Sequence, residues 1–135
     1  MMPETLIDTD ILSEFFRGNP IVIANIDKYL QNYTCLNISI ITYYEVLNGL
    51  LYKDARKQLV KFKQFVELNQ VLPLTIITVN KSAEVQSELR KKGKEIGHTD
   101  TLIAGIALVN NLELITNNIE HFKRIPKLKL NNWAK

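Results

Sequence analysis

The chain has a single cysteine and no long apolar run. Each of these features excludes certain classes of protein. Of its 135 residues only Cys35 is a cysteine, which excludes an intrachain disulfide and a cysteine-based metal cluster. No stretch reaches the roughly 18 to 20 unbroken apolar residues that a membrane helix needs. The N-terminal MMPETLIDTDIL carries acids where a signal peptide carries basic residues. We therefore expect a cytoplasmic protein that does not contact the membrane.

Internal repeats, low-complexity tracts and linkers rich in proline, glycine or serine are also missing. With 46% hydrophobic and 23% charged residues, the composition predicts one domain over residues 1–135. The net charge is +3, from 17 basic and 14 acidic residues. A charge of this size permits a polyanionic partner without requiring one.

Short apolar strands alternate with helical patterns along the chain. The segments TLI (5–7), CLNISI (35–40) and LELIT (112–116) are typical of buried strands, whereas VLPLTII (71–77) is ambiguous because it contains a proline. This alternation predicts an α/β fold whose central, mainly parallel sheet is covered by helices on both faces. In such sheets, sites gather outside the carboxyl ends of the strands, where the strand order reverses.

Capping residues predict where several helices begin. Asn19 precedes Pro20, which suits the first helical position. Asp54, Asn80 and Thr99 are each expected to cap the helix that follows.

Three acids stand apart from the solvated helix faces that carry most of the others. Asp8 ends the first strand, Glu45 lies early in the helix after the second strand, and Asp100 opens the helix HTDTLIAGIALV. Asp8 has a structural alternative as a helix N-cap. Glu45 has one as the acidic half of a capping box with Thr42.

Asp100 is harder to explain structurally, because helical spacing puts it on the side of Ile103 and Ala104. A carboxylate that faces an apolar stripe is costly unless something pairs with it. Its partner is either a lysine or arginine, or a cation shared with the other two acids at the same sheet edge. Hard carboxylate oxygens suit Mg²⁺ or Mn²⁺.

Four segments carry a resemblance to a known family: LIDTDILSEFFRG from Leu6, SIITYYEVLNG from Ser39, GHTDTLIAGIAL from Gly97 and LELITNNIEHFKRIPKLKLNNW from Leu112. They resemble the PIN domain, and specifically the VapC toxins of bacterial toxin–antitoxin pairs. The resemblance implies a three-layer α/β/α fold and a metal-dependent endoribonuclease that hydrolyses RNA phosphodiester bonds.

The same resemblance assigns roles to individual residues. Asp8 and Asp100 become the principal Mg²⁺ or Mn²⁺ ligands, and Glu45 becomes a ligand or orients the attacking water. A fourth position, acidic in many PIN domains, is the amide Asn118 here. Thr116 matches the family's hydroxyl residue and becomes a supporting hydrogen-bond donor.

Residues near these positions receive weaker expectations. Glu120 could substitute for Asn118 but is expected to face solvent, and His98 and His121 are expected to be structural or surface groups. The basic run RKKGK (90–94) is either a solvated helix end or a contact for the RNA backbone.

The resemblance also implies partners: a second copy in a homodimer, and a VapB-like antitoxin whose C-terminal segment lies across the active-site groove. Two alternatives stay open. One is a PIN-type nuclease in RNA processing outside a toxin pair. The other is a non-catalytic binding module in which Asp8 and Glu45 only cap helices and Asp100 is ion-paired.

Overall fold

The computed structural model describes residues 2–135, and short strands and longer helices alternate along this part of the chain. The strands are β1 (Thr5–Ile7), β2 (Asn37–Ser39), β3 (Gln70–Leu72), β4 (Glu113–Ile115) and β5 (Leu130–Asn131). The helices are α1 (Thr9–Phe16), α2 (Pro20–Tyr29), α3 (Ile40–Tyr52), α4 (Arg56–Leu68), α5 (Ile76–Lys91), α6 (His98–Val109) and α7 (Ile119–Phe122). None of the helices in residues 2–135 is long and apolar enough to cross a membrane.

All strand pairs are parallel, which confirms the predicted sheet. β4 lies between β1 and β5, and β2 pairs with β3. The two ladders meet at β1 and β2, where the Asn37 side-chain amide donates to the Thr5 carbonyl at 3.0 Å. The chain thus runs from β1 outward through β2 and β3, then returns to the other side of β1 with β4. The strand order reverses between β1 and β4, so a crevice is expected at the carboxyl ends of these two strands.

Successive residues of the central strands enter opposite cores, as the two-residue period of a strand requires. Leu6 and Leu114 pack with α5, α6 and α7, whereas Ile7 and Ile115 pack with α1, α2 and α4. Helices therefore cover both faces of the sheet, which confirms the three-layer α/β/α architecture.

The aromatic residues near the C-terminus belong to these cores. Phe122 lies in the first and Trp133 in the second, and both are buried. They therefore pack within the protein and contribute to its stability.

α5 and α6 pack closely against each other at Gly105. A Cβ atom at this position would overlap the Ser82 hydroxyl and would lie 2.6 Å from the Thr78 carbonyl oxygen. Only the absence of a side chain lets the two helices approach this closely. Their packing fixes α6, which carries Asp100.

One predicted helix start is confirmed and one is wrong by several residues. Asn19 caps α2 and accepts from the Ile21 amide at 2.9 Å, with Pro20 in the first turn. α5, however, begins at Ile76 rather than after Asn80, because Thr75 and Thr78 form a reciprocal capping box. Asn80 is exposed within the helix.

The other two predicted caps are also wrong. Asp54 lies in the turn before α4 in the left-handed region, with φ of 50°, and Ala55 takes the N-cap position. Thr99 already lies inside α6, because Gly97 occupies its N-cap position.

Candidate active site

Asp8 links the end of β1 to the start of α1. One carboxylate oxygen, Oδ1, accepts the Thr9 amide at 2.8 Å, which makes Asp8 the N-cap of α1. The other, Oδ2, accepts the Thr116 hydroxyl at 2.8 Å. The residue is 6% exposed. The predicted capping role is therefore real, and it leaves the second oxygen facing the crevice beside β4.

Thr116 follows β4 directly and is fully buried. Its hydroxyl oxygen also accepts the Asn118 amide at 2.9 Å. Since a hydroxyl has one proton, Thr116 donates to Asp8 and accepts from Asn118. These bonds join the ends of β1 and β4 and hold the turn that follows β4.

Asp10 is a component of this crevice that the sequence prediction did not include. Its Oδ2 accepts the Asn117 amide at 3.0 Å, and its Oδ1 accepts the Ile11 amide at 2.7 Å. Asp10 thereby attaches the turn after β4 to the first turn of α1. The available signal was its place in LIDTDIL, two residues after Asp8.

Glu45 does not form the predicted capping box with Thr42. α3 begins at Ile40, and Ser39 caps it by accepting the Thr42 amide at 3.0 Å. The cap lies three residues before the predicted position, so Glu45 stands too far inside the helix to reach an unpaired amide. Its Oε1 instead accepts the Thr9 hydroxyl at 2.6 Å. A side chain of α1 therefore holds Glu45 toward the crevice.

Asp100 is half-buried in the first turn of α6. Burial is the main reason that its pKa is raised, and repulsion from Glu45 adds to the effect. His121 opposes the shift, so its ring also lies on the Asp100 side of the molecule. Among residues 2–135, no lysine or arginine forms an ion pair with Asp100, which removes the simplest structural explanation for this acid.

The acids of the crevice disfavour one another's charged forms. Burial, followed by repulsion from Asp10, raises the pKa of Asp8 to about 7, and the Asp100 charge adds to the shift. The bonds from Thr116 and Thr9 act in the opposite direction. Burial likewise raises the pKa of Asp10. A cation placed among these carboxylates would relieve both the repulsion and the cost of burial.

The carboxylates are neighbours but are not yet arranged as a ligand set. Within the described part of the chain, no three acidic, histidine or cysteine side chains are grouped closely enough to hold one ion. The available donors, Asp8, Asp10, Glu45 and Asp100, are all hard oxygen donors. Their chemistry fits Mg²⁺ or Mn²⁺, and binding would require their side chains to turn toward one another.

Asn118 and Glu120 occupy the rim of the crevice. The Asn118 side-chain amide contacts the His121 ring nitrogen Nδ1 at 2.9 Å. No hydrogen bond in residues 2–135 joins that amide to Asp8 or Asp100. Glu120 is exposed and pairs with Lys123 at 2.6 Å, so it faces solvent as predicted.

His98 is the first residue of α6. It lines a cleft of about 670 Å³ between α5 and α6, together with Arg90 and Lys91. Both histidines are exposed, which agrees with the prediction of surface groups.

Comparison with known proteins places these features in a family. The family model described as the PIN domain matches residues 5–128. The chain is 32% identical over 131 residues to a protein named Ribonuclease VapC2 from Rickettsia felis, with coverage of 96% of this chain and 98% of that protein. It is 27% identical over 134 residues to the tRNA(fMet)-specific endonuclease VapC of Salmonella typhimurium, with coverage of 98% and 100%.

Solved structures show the same similarity in three dimensions. VapBC2 from Rickettsia felis, bound to a DNA fragment from its promoter, matches with a TM-score of 0.85 and 31% identity over 96% of this chain and 98% of that chain. DNA-bound VapBC from Salmonella typhimurium matches with a TM-score of 0.86 and 27% identity over 98% and 99%. The likeness therefore spans nearly the whole fold, including both strands that form the crevice.

Proposed function

Because this chain belongs to the PIN domain family, we propose that it is a metal-dependent endoribonuclease and the toxin of a VapBC-type toxin–antitoxin pair. The observation that carries the proposal is the acidic crevice at the ends of β1 and β4. Burial raises the pKa values of Asp8 and Asp100 in this crevice, and nearby carboxylates add to both shifts. Relatives named as ribonucleases and endonucleases support the assignment of RNA as the substrate.

Asp8 and Asp100 are the proposed principal ligands of Mg²⁺ or Mn²⁺, and Glu45 is a third ligand or the group that orients water. Asp10 adds negative charge beside Asp8. An ion held by these carboxylates would polarise a phosphate oxygen and lower the pKa of a coordinated water molecule. No histidine would then be needed as the base.

The protein supplies the orientation of these acids. Thr116 fixes one oxygen of Asp8, and the Thr9 amide fixes the other. We propose Thr116 as the supporting donor of the site. Asn118 contributes its backbone amide to Thr116, and its carboxamide stands at the rim, where it can contact a phosphate or a water molecule.

The proposed path of the RNA backbone begins beside the crevice and follows the basic end of α5. Arg90 and Lys91 are partly neutralised by Glu95 and Glu88, at 3.9 and 3.3 Å. Contacts between basic side chains and phosphates weaken when salt is added. RNA affinity is therefore expected to fall as the salt concentration rises.

A second cleft, of about 410 Å³, supports the proposed antitoxin. Apolar groups including Phe16, Val46 and Leu50 line it together with Arg17 and Lys53. Such a surface suits a peptide that carries apolar and acidic side chains. The similar structures carry the name VapBC, and we propose a VapB-like partner here.

We also propose a homodimer. Ile76 and Ile77, at the start of α5, are 81% and 68% exposed. Neighbouring large apolar groups exposed at a helix start favour association with another surface. Light scattering of the purified chain, compared with an Ile76→Lys, Ile77→Lys variant, tests this assignment. A wild type that is monomeric at all concentrations would contradict it.

The proposed activity predicts a specific product. Attack by water leaves a 3′-hydroxyl and a 5′-phosphate, whereas attack by the RNA's own 2′-hydroxyl leaves a cyclic phosphate. The protein should cleave RNA in Mg²⁺ or Mn²⁺ and leave 5′-phosphate ends. Cleavage should stop when EDTA is added. Cyclic phosphate ends, or cleavage that persists in EDTA, would argue against it. Growth arrest that is relieved by a co-expressed neighbouring gene would separate a toxin from a nuclease of RNA processing.

A further inference from the structure

A line of hydroxyl groups connects the start of α3 to Glu45. Thr42 is fully buried, and its Oγ1 lies 3.0 Å from the Oγ1 of Thr9. The Thr9 hydroxyl in turn lies 2.6 Å from Glu45 Oε1. Ser39, which caps α3, lies 3.4 Å from the Thr42 hydroxyl.

Counting protons fixes the direction of these bonds. An ionised carboxylate can only accept, so the single Thr9 hydroxyl proton is donated to Glu45. Thr42 must therefore supply the proton of the bond between the two threonines. The chain of donation runs from Thr42 through Thr9 to Glu45, and each bond polarises the next toward the charged end.

Two other buried hydroxyls of the molecule behave differently. Ser82 donates to the Thr78 carbonyl at 3.1 Å, and Thr101 donates to the His98 carbonyl at 2.7 Å. Each of these bonds lies within one helix. It replaces the hydrogen bond that the hydroxyl would make with water if it were exposed. The Thr42 hydroxyl instead contacts a side chain of α1. Thr42 lies in the first turn of α3, as Thr101 does in α6.

We propose that Thr42 is a positioning residue that acts on Glu45 through Thr9. Thr9 alone is half-buried and has other rotamers available, whereas buried Thr42 holds its hydroxyl in place. Glu45 then keeps the orientation in which it repels the Asp100 carboxylate and in which both could face one cation. The effect on catalysis rests on the proposed nuclease function; the hydroxyl chain itself does not.

The first experiment uses protein without metal. Unfolding by denaturant in EDTA is measured for wild type, Thr42→Val, Glu45→Ala and the double variant. We expect the effects on the unfolding equilibrium constant to be coupled by at least about threefold. Thr78→Val combined with Glu45→Ala is the matched control, because the buried Thr78 hydroxyl donates to the Thr75 carbonyl of its own helix at 3.1 Å. Additive effects for the Thr42 pair would overturn the hydroxyl chain.

The second experiment measures RNA cleavage in Mn²⁺. Thr42→Val should lower kcat about tenfold with little change in KM, and Thr42→Ser, which keeps the hydroxyl, should restore most of it. Thr9→Val should resemble Thr42→Val and serves if the buried variant folds poorly. A Thr42→Val enzyme with wild-type kcat would overturn the positioning role. Wild-type protein that cleaves no RNA would refute the proposed function. The hydroxyl chain would then still be tested by the coupling between Thr42→Val and Glu45→Ala in the unfolding experiment.

Discussion

Thr116, at the end of β4, donates its hydroxyl proton to the Asp8 carboxylate at the end of β1, across 2.8 Å. The two residues are 108 positions apart in the chain, and they meet because β1 and β4 are parallel neighbours. Their bond stabilises the charged form of an acid whose pKa burial otherwise raises. Asp8 can therefore be both the cap of a helix and a candidate ligand.

Replacing Thr116 by valine should weaken cleavage at neutral pH. A hydrogen bond to a charged group contributes about 1.5–3 kcal/mol, so its loss should raise the Asp8 pKa further and lower activity about tenfold or more. Thr116→Ser keeps the hydroxyl and is the matched control. The measurement is the rate of RNA cleavage as a function of pH, in which Thr116→Val should need a higher pH than wild type. Identical pH profiles for the two proteins would contradict this role.

Asp10 should act mainly through the turn that it holds. Asp10→Ala removes the acceptor of the Asn117 amide, and a displaced turn should lower cleavage by about tenfold or more. Asp10→Asn keeps an acceptor oxygen at the same place and should retain most of the activity. The measurement is the rate of RNA cleavage by the two variants. If both variants lose the same amount of activity, the charge of Asp10 matters rather than its hydrogen bond, and the prediction is contradicted.

Without metal, the protein should lose stability as the pH rises through the range set by Asp8. The pKa of this carboxyl is about 7 in the folded state, against an ordinary value of 3.8. Between these values the folded state binds more protons than the unfolded state, so the free energy of unfolding falls, by at most about 1.4 kcal/mol per pH unit for one group. Urea unfolding in EDTA measures the slope.

Two comparisons control the pH experiment. Asp8→Asn should flatten the slope, and added Mn²⁺ should stabilise the wild type more at the upper end of the range, because the ion binds the deprotonated carboxylates. A wild type whose stability rises with pH across this range in EDTA would contradict the burial of an uncompensated acid.

Gly105 and Gly49 should respond to alanine in opposite directions. At Gly105 a new methyl group meets the Ser82 hydroxyl and the Thr78 carbonyl, and overpacking of this kind costs about 1–3 kcal/mol. Gly49, within α3, has no atom within 4 Å of an added Cβ, so alanine should stabilise by about 0.5–1 kcal/mol. The measurement is the melting temperature of each variant relative to wild type. An unchanged melting temperature for Gly105→Ala would refute the close packing of α5 on α6.

Much of this arrangement was predictable from the sequence. Hydrophobic periodicity located β1 and α6, and the alternation of elements predicted a parallel sheet. Parallel strands end at a common edge, which is why the positions of Asp8 and Asp100 could be expected to approach one another. The single domain over residues 1–135 and the roles of the site residues stay predictions.

Other features depend on contacts that local patterns do not encode. α5 begins at Ile76 because Thr75 and Thr78 form a capping box, whereas the exposed Ile76 and Ile77 have the composition of a strand. Asp10 belongs to the crevice only because the turn at Asn117 crosses over it. Thr42 was interpreted as a helix cap, and its contact with Thr9 becomes visible only when α1 and α3 are placed side by side.

The most direct test of the central claim compares RNA cleavage by wild type and Asp100→Asn in Mg²⁺, in Mn²⁺ and in EDTA, with melting temperatures followed in parallel. We expect cleavage to require a divalent ion and to be abolished in Asp100→Asn. The variant should stay folded, and in EDTA its melting temperature should be no lower than that of wild type, because one partly buried charge has been removed. Cleavage that survives the substitution or EDTA, or an Asp100→Asn protein that simply unfolds, would contradict it.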